Sequence, residues 1–135
     1  MTRMSVTEFR AIEDRRRTEH SLQVEVAAWL ACNVPASVPW TAVDHGAGKM
    51  TPAAAGQRRR RGVKRGQPDF RFILPPDGQS AEIELKRPKG GRQSPEQKEW
   101  EARTVEAGGL YLVCRSIAEV QGALIAWGVL PRRPQ

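Results

Sequence analysis

Cysteine and histidine, the residues that build zinc sites and disulfide frameworks, are scarce in this chain. Its 135 residues include two of each. Cys32 and Cys114 are far apart, and neither has a second cysteine at the short spacing of a zinc-binding or redox pair. We therefore expect no zinc site, and we predict that both cysteines are buried as small apolar side chains in a reducing compartment.

Long hydrophobic runs are missing as well. No stretch approaches the roughly 20 consecutive apolar residues that span a bilayer. The first five residues also lack the apolar core of a signal peptide. We therefore expect a cytoplasmic protein that has no membrane partner.

Acidic residues are in the minority. The chain has 22 lysines and arginines against 15 aspartates and glutamates, which gives a net charge of +7. Such an excess favours a polyanionic partner, with nucleic acid first and an anionic membrane surface second. Six of the ten residues from 57 to 66 are basic. They are Arg58, Arg59, Arg60, Arg61, Lys64 and Arg65.

This basic segment has two interpretations. As a solvated, disordered loop it would only keep the protein soluble, because blocks of like charge often do so. As a DNA-binding segment it would grip phosphates and add affinity without reading the base sequence. We favour the second, because the segment directly precedes the candidate metal site described below.

The length fits one domain with its own core. We predict a polar arm over residues 1–17, a domain over residues 18–130 and a short tail over residues 131–135. No hydrophobic period runs through residues 45–66. We therefore predict a long basic loop there, with one helical turn at residues 52–56.

Hydrophobic periodicity and capping signals predict an α/β fold for the domain. Apolar residues at helical spacing and serine caps indicate helices, and alternating or continuous apolar runs indicate strands. The predicted order is helix, strand, strand, strand, helix, strand, helix, in which helices cover both faces of one mixed sheet. The predicted ranges are 18–32, 40–44, 69–74, 81–86, 95–107, 110–114 and 117–127.

The most informative residues are Asp69, Glu84 and Lys86, which flank a predicted β-hairpin. Period-2 geometry places Glu84 and Lys86 on one strand face, and Asp69 lies at the mouth of the neighbouring strand. Carboxylates suit Mg²⁺ or Mn²⁺, and a lysine can orient attacking water and offset phosphate charge. The alternative is a half-exposed strand whose polar face meets water. Glu82, further from Asp69, is predicted to be a structural acid or one that supports the metal ligands without binding the metal.

Three short motifs in order resemble the VRR-NUC branch of the PD-(D/E)XK nuclease superfamily. They are Gly62–Asp69, Glu84–Pro88 and Ser94–Trp100. The resemblance extends over roughly residues 19–127 and implies a restriction-endonuclease-like core and a Mg²⁺- or Mn²⁺-dependent DNA endonuclease. Stand-alone members resemble Holliday-junction resolvases of viral or phage type. The resemblance thus implies branched DNA as substrate, a homodimer, and the cytoplasm of a bacterial or phage-infected cell.

The resemblance also implies roles for individual residues. Asp69 and Glu84 would bind the metal directly, with the backbone carbonyl of Leu85 as a further ligand. Lys86 would position the nucleophilic water. These expectations agree with the chemistry of the three side chains.

Two further residues match the family pattern less directly. Glu19 would bind the metal, either directly or through water, although it could instead be a solvated acid favoured by the helix dipole. Gln97 would contact the water, the lysine or the substrate, although it also completes a capping box. Residues 44–46 lack the asparagine–glycine expected of the family, and His45 is predicted to be polar surface.

Three other functions stay open. A flap- or restriction-type nuclease would use the same chemistry on a different DNA. A non-catalytic basic DNA-binding module would keep the fold without cleavage, although an intact set of acids and lysine speaks against it. Binding of membrane surfaces through the arginines is a third possibility, and it predicts no metal requirement.

Overall fold

The computed structural model describes residues 5–8, 18–45 and 50–132. Most of the predicted polar arm, over residues 1–17, and the end of the tail lie outside these ranges. Residues 6–8 are helical, and the other described residues form four helices and four strands. The helices are α1 (Glu19–Asn33), α2 (Pro52–Arg60), α3 (Pro95–Glu106) and α4 (Ile117–Ala126). The strands are β1 (Trp40–Ala42), β2 (Phe70–Leu74), β3 (Gln79–Leu85) and β4 (Leu110–Cys114). Within the described ranges, no helix has the length and apolar character needed to cross a bilayer.

The four strands form one mixed sheet in the order β1-β2-β3-β4. β2 pairs antiparallel with both β1 and β3, and β4 pairs parallel with β3. As a result β1, β3 and β4 all end where β2 begins, and we call this end the carboxyl end of the sheet. Loops that leave it bring residues from distant parts of the sequence together.

The core lies on one face of the sheet. Phe70 and Phe72 of β2 and Ile83 of β3 are fully buried there, as alternation along a strand requires. Helices α1 and α4 cover this face with buried apolar side chains. These are Leu22, Val26, Leu30, Val120, Ala123 and Leu124. The opposite face carries Glu82, which bonds to α3. Helices therefore cover both faces, and the predicted α/β fold class is confirmed.

Three helices begin at the predicted or adjacent residues because side chains cap them. The Thr18 hydroxyl accepts a hydrogen bond from the amide of Ser21 at 3.1 Å. Ser94 and Gln97 form the predicted reciprocal capping box, with bonds of 2.8 and 3.2 Å. Ser116 caps α4. Each such cap contributes about 1 kcal/mol. The Thr18 cap fixes the start of α1, and Glu19 is the first residue of that helix.

The prediction of a loop over residues 45–66 is wrong for its central part. Residues 52–60 form α2, not a single turn. Thr51 caps this helix, Pro52 takes its first position, and three alanines follow, all of which favour helix. The basic last turn complements the helix dipole. No residue of α2 is buried, so the hydrophobic period that reveals most helices is absent from it.

The two cysteines differ in their environment. Cys114, at the end of β4, is buried as predicted, and burial together with the nearby Glu119 raises the pKa of its thiol to about 12. Cys32, in the last turn of α1, is exposed, so its predicted burial is wrong. It lies off the stripe formed by Leu22, Val26 and Leu30 that faces the sheet.

Gly66, three residues before Asp69, is predicted to be essential for the approach of the α2–β2 connection to α3. Its φ is +81°, and a Cβ atom there would lie 2.5 Å from the backbone carbonyl of Glu96. Gly62 is the matched control, because its φ is +92° but a Cβ would meet no atom within 4 Å. Gly62→Ala should cost about 1–2 kcal/mol from backbone conformation alone. Gly66→Ala should cost about 1–3 kcal/mol more from overpacking.

Urea unfolding of the two variants measures this difference directly. Equal losses of unfolding free energy would show that the Gly66 contact with α3 does not constrain the connection.

Candidate active site

Glu84 is a buried carboxylate that is held by two donors. Its side chain is 1% exposed. The Tyr111 hydroxyl donates to Glu84 Oε2 at 2.7 Å, and Gln93 Nε2 donates to the same oxygen at 3.2 Å. A buried carboxylate needs such partners to offset its desolvation. With Oε2 held in this way, Oε1 faces Lys86 Nζ at 3.5 Å.

Asp69 is anchored by the backbone of the next strand. Its Oδ2 accepts a hydrogen bond from the amide of Leu85 at 2.6 Å, and its own amide donates to the Ile83 carbonyl at 3.0 Å. Its Oδ1 faces His45 Nε2 at 3.6 Å. The contact with Asp69 raises the pKa of His45 despite partial burial. Like Glu84, Asp69 therefore has one oxygen fixed by a donor and a second oxygen directed toward a cationic or titratable group.

Lys86 lies between two acids directly after β3. Its side chain is 6% exposed, and Nζ lies 3.5 Å from Glu84 Oε1 and 3.8 Å from Glu19 Oε1. Its amide donates to the Cys114 carbonyl at 2.9 Å, which continues the pairing with β4. Lys86 therefore contacts both Glu19 and Glu84, two other site residues predicted from the sequence. Asp69 lies beside them, because its carboxylate is bonded to the amide of Leu85, the residue between Glu84 and Lys86.

The donor set suits Mg²⁺ or Mn²⁺. Within the described ranges, no three side chains of histidine, cysteine, aspartate or glutamate form a ready ligand group. Mg²⁺ is often held by one or two carboxylates, with water and substrate phosphate as the remaining ligands. Asp69 and Glu84 provide two hard oxygen donors of this kind. Metal binding by Glu19 and by the Leu85 carbonyl stays a prediction.

Glu82 belongs to a hydrogen-bond network that is separate from Asp69 and Glu84. The Arg71 guanidinium donates to Glu82 Oε2 at 2.9 and 2.7 Å. Trp100 Nε1 and Thr104 Oγ1 donate to Oε1 at 3.1 and 2.9 Å. Both oxygens are thus occupied, and the side chain joins α3 to the sheet. This arrangement agrees with the prediction that Glu82 is a structural acid.

The contact to Glu84 from the α3 region comes from a residue that sequence reasoning missed. Gln97 Oε1 accepts from the Ser94 amide in the capping box, whereas Gln93, just before the cap, reaches Glu84. Tyr111 was also missed. Alternation along β4 could have placed Tyr111 on the Glu84 face, but only once β4 was known to pair parallel with β3. Direct participation of Gln97 in the active site stays a prediction.

We call Glu19, Asp69 and Glu84 the acidic cluster. The basic segment lies beside it. Four of its six cations line a cavity of about 250 Å³ that also contains His45 and Gln67. These four are Arg58, Arg59, Lys64 and Arg65. Arg58 Nη2 donates to the Asp44 carbonyl at 3.2 Å, which ties α2 to the loop after β1. Arg60 and Arg61 are exposed and do not line this cavity.

Removal of the Tyr111 hydroxyl should destabilise the protein through Glu84. Burial, with Glu84 as a further cause, raises the pKa of Tyr111 well above its usual value, so the hydroxyl stays protonated and can donate. A hydrogen bond to a charged group is worth about 1.5–3 kcal/mol. Tyr111→Phe should lower the free energy of unfolding by about this amount.

A double-mutant cycle separates the hydrogen bond from other effects of the substitution. In a Glu84→Gln background, Tyr111→Phe should cost clearly less than in the wild-type protein. If the cost is the same in both backgrounds, the hydroxyl does not act through Glu84.

Comparisons with known proteins agree with this architecture. A solved structure described as a VRR_NUC domain protein matches the chain with a TM-score of 0.63 and 21% sequence identity. The match covers 84% of this chain and 91% of that chain. No protein-family model matches the sequence, and no curated protein sequence matches it. At this level of identity the similarity establishes the fold, which confirms the expected restriction-endonuclease-like core.

Proposed function

We propose that this chain, which has the fold of a VRR-NUC domain, is a Mg²⁺- or Mn²⁺-dependent endonuclease that hydrolyses phosphodiester bonds in DNA. The observation that carries the proposal is the meeting of anchored carboxylates and a buried lysine at the carboxyl end of the sheet. In each acid, one oxygen is held by hydrogen-bond donors and the other is not bound by them. A purely structural role does not need this second oxygen. The adjacent basic cavity supplies an electrostatic attraction for DNA.

Each residue would have a distinct part in this reaction. Asp69 and Glu84 would hold the ion through the oxygens that their anchoring donors leave available. When bound, the ion would stabilise charge on the phosphate and make water a better nucleophile. Lys86 would orient the attacking water and offset negative charge as it develops on the phosphate oxygens. Glu19, which faces Lys86 at 3.8 Å, would keep the ammonium in position.

The proposal extends to branched DNA and to a homodimer. Its support is the motif resemblance to resolvase-like proteins. Symmetric incision of a four-way junction needs two active sites related by a twofold axis. Arg58, Arg59, Lys64 and Arg65 would contact phosphates near the junction without reading bases.

Replacing Lys86 by methionine should abolish most of the cleavage while preserving DNA binding. Methionine keeps the apolar stem and removes the charge. We expect a cleavage rate at least about 100-fold lower, which is typical when a positioned catalytic group is lost. Lys98→Met is the matched control, because Lys98 is exposed on α3 and its loss removes the same charge.

The assay is cleavage of labelled DNA with Mn²⁺ or Mg²⁺, with binding measured in EDTA. EDTA should stop cleavage by the wild-type protein. If wild-type protein binds DNA and no divalent cation supports nicking, the chain is a binding module and the nuclease proposal fails.

The choice of substrate is tested with a four-way junction, a flap and a linear duplex of equal length. We expect the junction to be cut fastest, with nicks at symmetric positions, and the protein to have twice its monomer mass by light scattering. Equal cutting of all three DNAs would remove the resolvase-like specificity and keep the nuclease. A monomer that cuts only the flap would favour the flap-nuclease alternative.

A further inference from the structure

A second basic cavity lies at the carboxyl end of the sheet. Its volume is about 540 Å³, and it is formed between the start of α1 and the connection that follows β3. It is lined by Thr18, Glu19, His20, Arg87, Gly90, Gly91 and Arg92. Two arginines and a histidine face a single acid there, and that acid, Glu19, is opposed by Lys86. The cavity therefore favours an anion.

The connection that presents Arg87 is held in place by Arg115. Arg115 Nη1 donates to the Arg87 carbonyl at 2.9 Å, and Nη2 donates to the Gly91 carbonyl at 2.8 Å. One guanidinium thus fixes both ends of the segment. A Cβ at Gly91 would lie 3.2 Å from Arg87 Cγ, and one at Gly90 would lie 3.4 Å from Arg87 Nη2. The two glycines let the Arg87 side chain lie against the backbone, so its position is defined.

Sheet topology places the two basic cavities on opposite sides of the acidic cluster. His45, after β1, belongs to the first cavity and faces Asp69. Glu19 belongs to the second cavity and faces Lys86. The strand order β1-β2-β3-β4 therefore runs from one cavity, past the cluster, toward Arg115 after β4. Arg87 follows β3, two strand spacings from β1, and this distance of about 10 Å is the axial length of about three phosphates in one DNA strand.

We propose that the cavity between α1 and the β3–α3 connection binds a phosphate of the DNA backbone. The first cavity, which contains Arg58 and Arg59, would bind phosphates on one side of the cleaved bond, and the second cavity would bind this phosphate on the other side. Arginine suits this role because its planar guanidinium can donate two parallel hydrogen bonds to phosphate oxygens. The inference rests on the proposed function for its substrate, and it adds a second point of attachment that would hold the backbone across the cluster.

The experiment compares three double variants in DNA binding without divalent cations. Arg87→Gln/Arg92→Gln changes the second cavity, and Arg58→Gln/Arg59→Gln changes the first. Lys98→Gln/Arg132→Gln removes the same charge from exposed positions elsewhere. The slope of log affinity against log salt should fall by about 0.9 for each phosphate contact that is lost. It should therefore fall by about 1 in the second-cavity variant, which loses one phosphate, and by up to about 2 in the first-cavity variant. The control should change the slope by less than about 0.5.

Neutral methylphosphonate linkages, introduced one at a time along the DNA, then locate the contacts. A linkage that weakens wild-type binding should have no further effect in the variant that has already lost that contact. We expect the linkages assigned to Arg87 and Arg92 to differ from those assigned to Arg58 and Arg59, with the two sets about three phosphates apart. When cleavage is restored with Mn²⁺, the cut should fall between them.

The outcomes separate this inference from the proposed function. Two distinct sets of linkages without metal-dependent cleavage would overturn the nuclease and keep the second cavity. Cleavage combined with an Arg87→Gln/Arg92→Gln variant that behaves like the control would overturn the second cavity and keep the nuclease. One shared set of linkages for both cavity variants would also overturn it. Matching unfolding midpoints for wild-type and variant proteins establish that the effects are local.

Discussion

The hydrogen bond from the Leu85 amide to Asp69, at 2.6 Å, is the contact on which the site depends. Regular pairing between β2 and β3 ends at Phe70 and Ile83, and beyond it the Asp69 carboxylate takes the place of a backbone acceptor. This one hydrogen bond therefore extends the pairing at the open end of the hairpin, and it fixes the Asp69 carboxylate beside Glu84. Because its donor belongs to a buried strand, the acid shares the rigidity of the sheet, as preorganised sites require.

Two glutamates on the same face of β3 show how partners determine the role of a buried charge. Glu82 receives four hydrogen bonds, from Arg71, Trp100 and Thr104, shared between both of its oxygens. Glu84 is equally buried, but its donors all converge on one oxygen, and the other faces Lys86. Burying a charge is costly unless it is paired. Glu82 meets that requirement through both of its oxygens, whereas one oxygen of Glu84 faces only the ammonium of Lys86, which is why we propose a catalytic role for Glu84 and not for Glu82.

Local patterns in the sequence were sufficient for much of this architecture and for the central residues of the site. Alternation predicted the hairpin and so the proximity of Asp69 to Glu84, and serine caps predicted where two helices begin. α2 could not be found from periodicity because none of its residues is buried. Tyr111 and Gln93 could not be found because their contacts with Glu84 depend on long-range geometry: parallel pairing of β3 with β4, and the path of the connection before α3.

The proposed function would explain why arginines lie in two places around an acidic centre. The centre of the candidate site contains three carboxylates, those of Glu19, Asp69 and Glu84, and one ammonium, that of Lys86. Alone, this centre would repel a phosphate, and a bound divalent cation would offset that repulsion. In the proposed nuclease, arginines on each side of the cluster would add an attraction for the neighbouring phosphates. The net charge of +7 would then help the proposed metal site, which is itself acidic, to act on a polyanion.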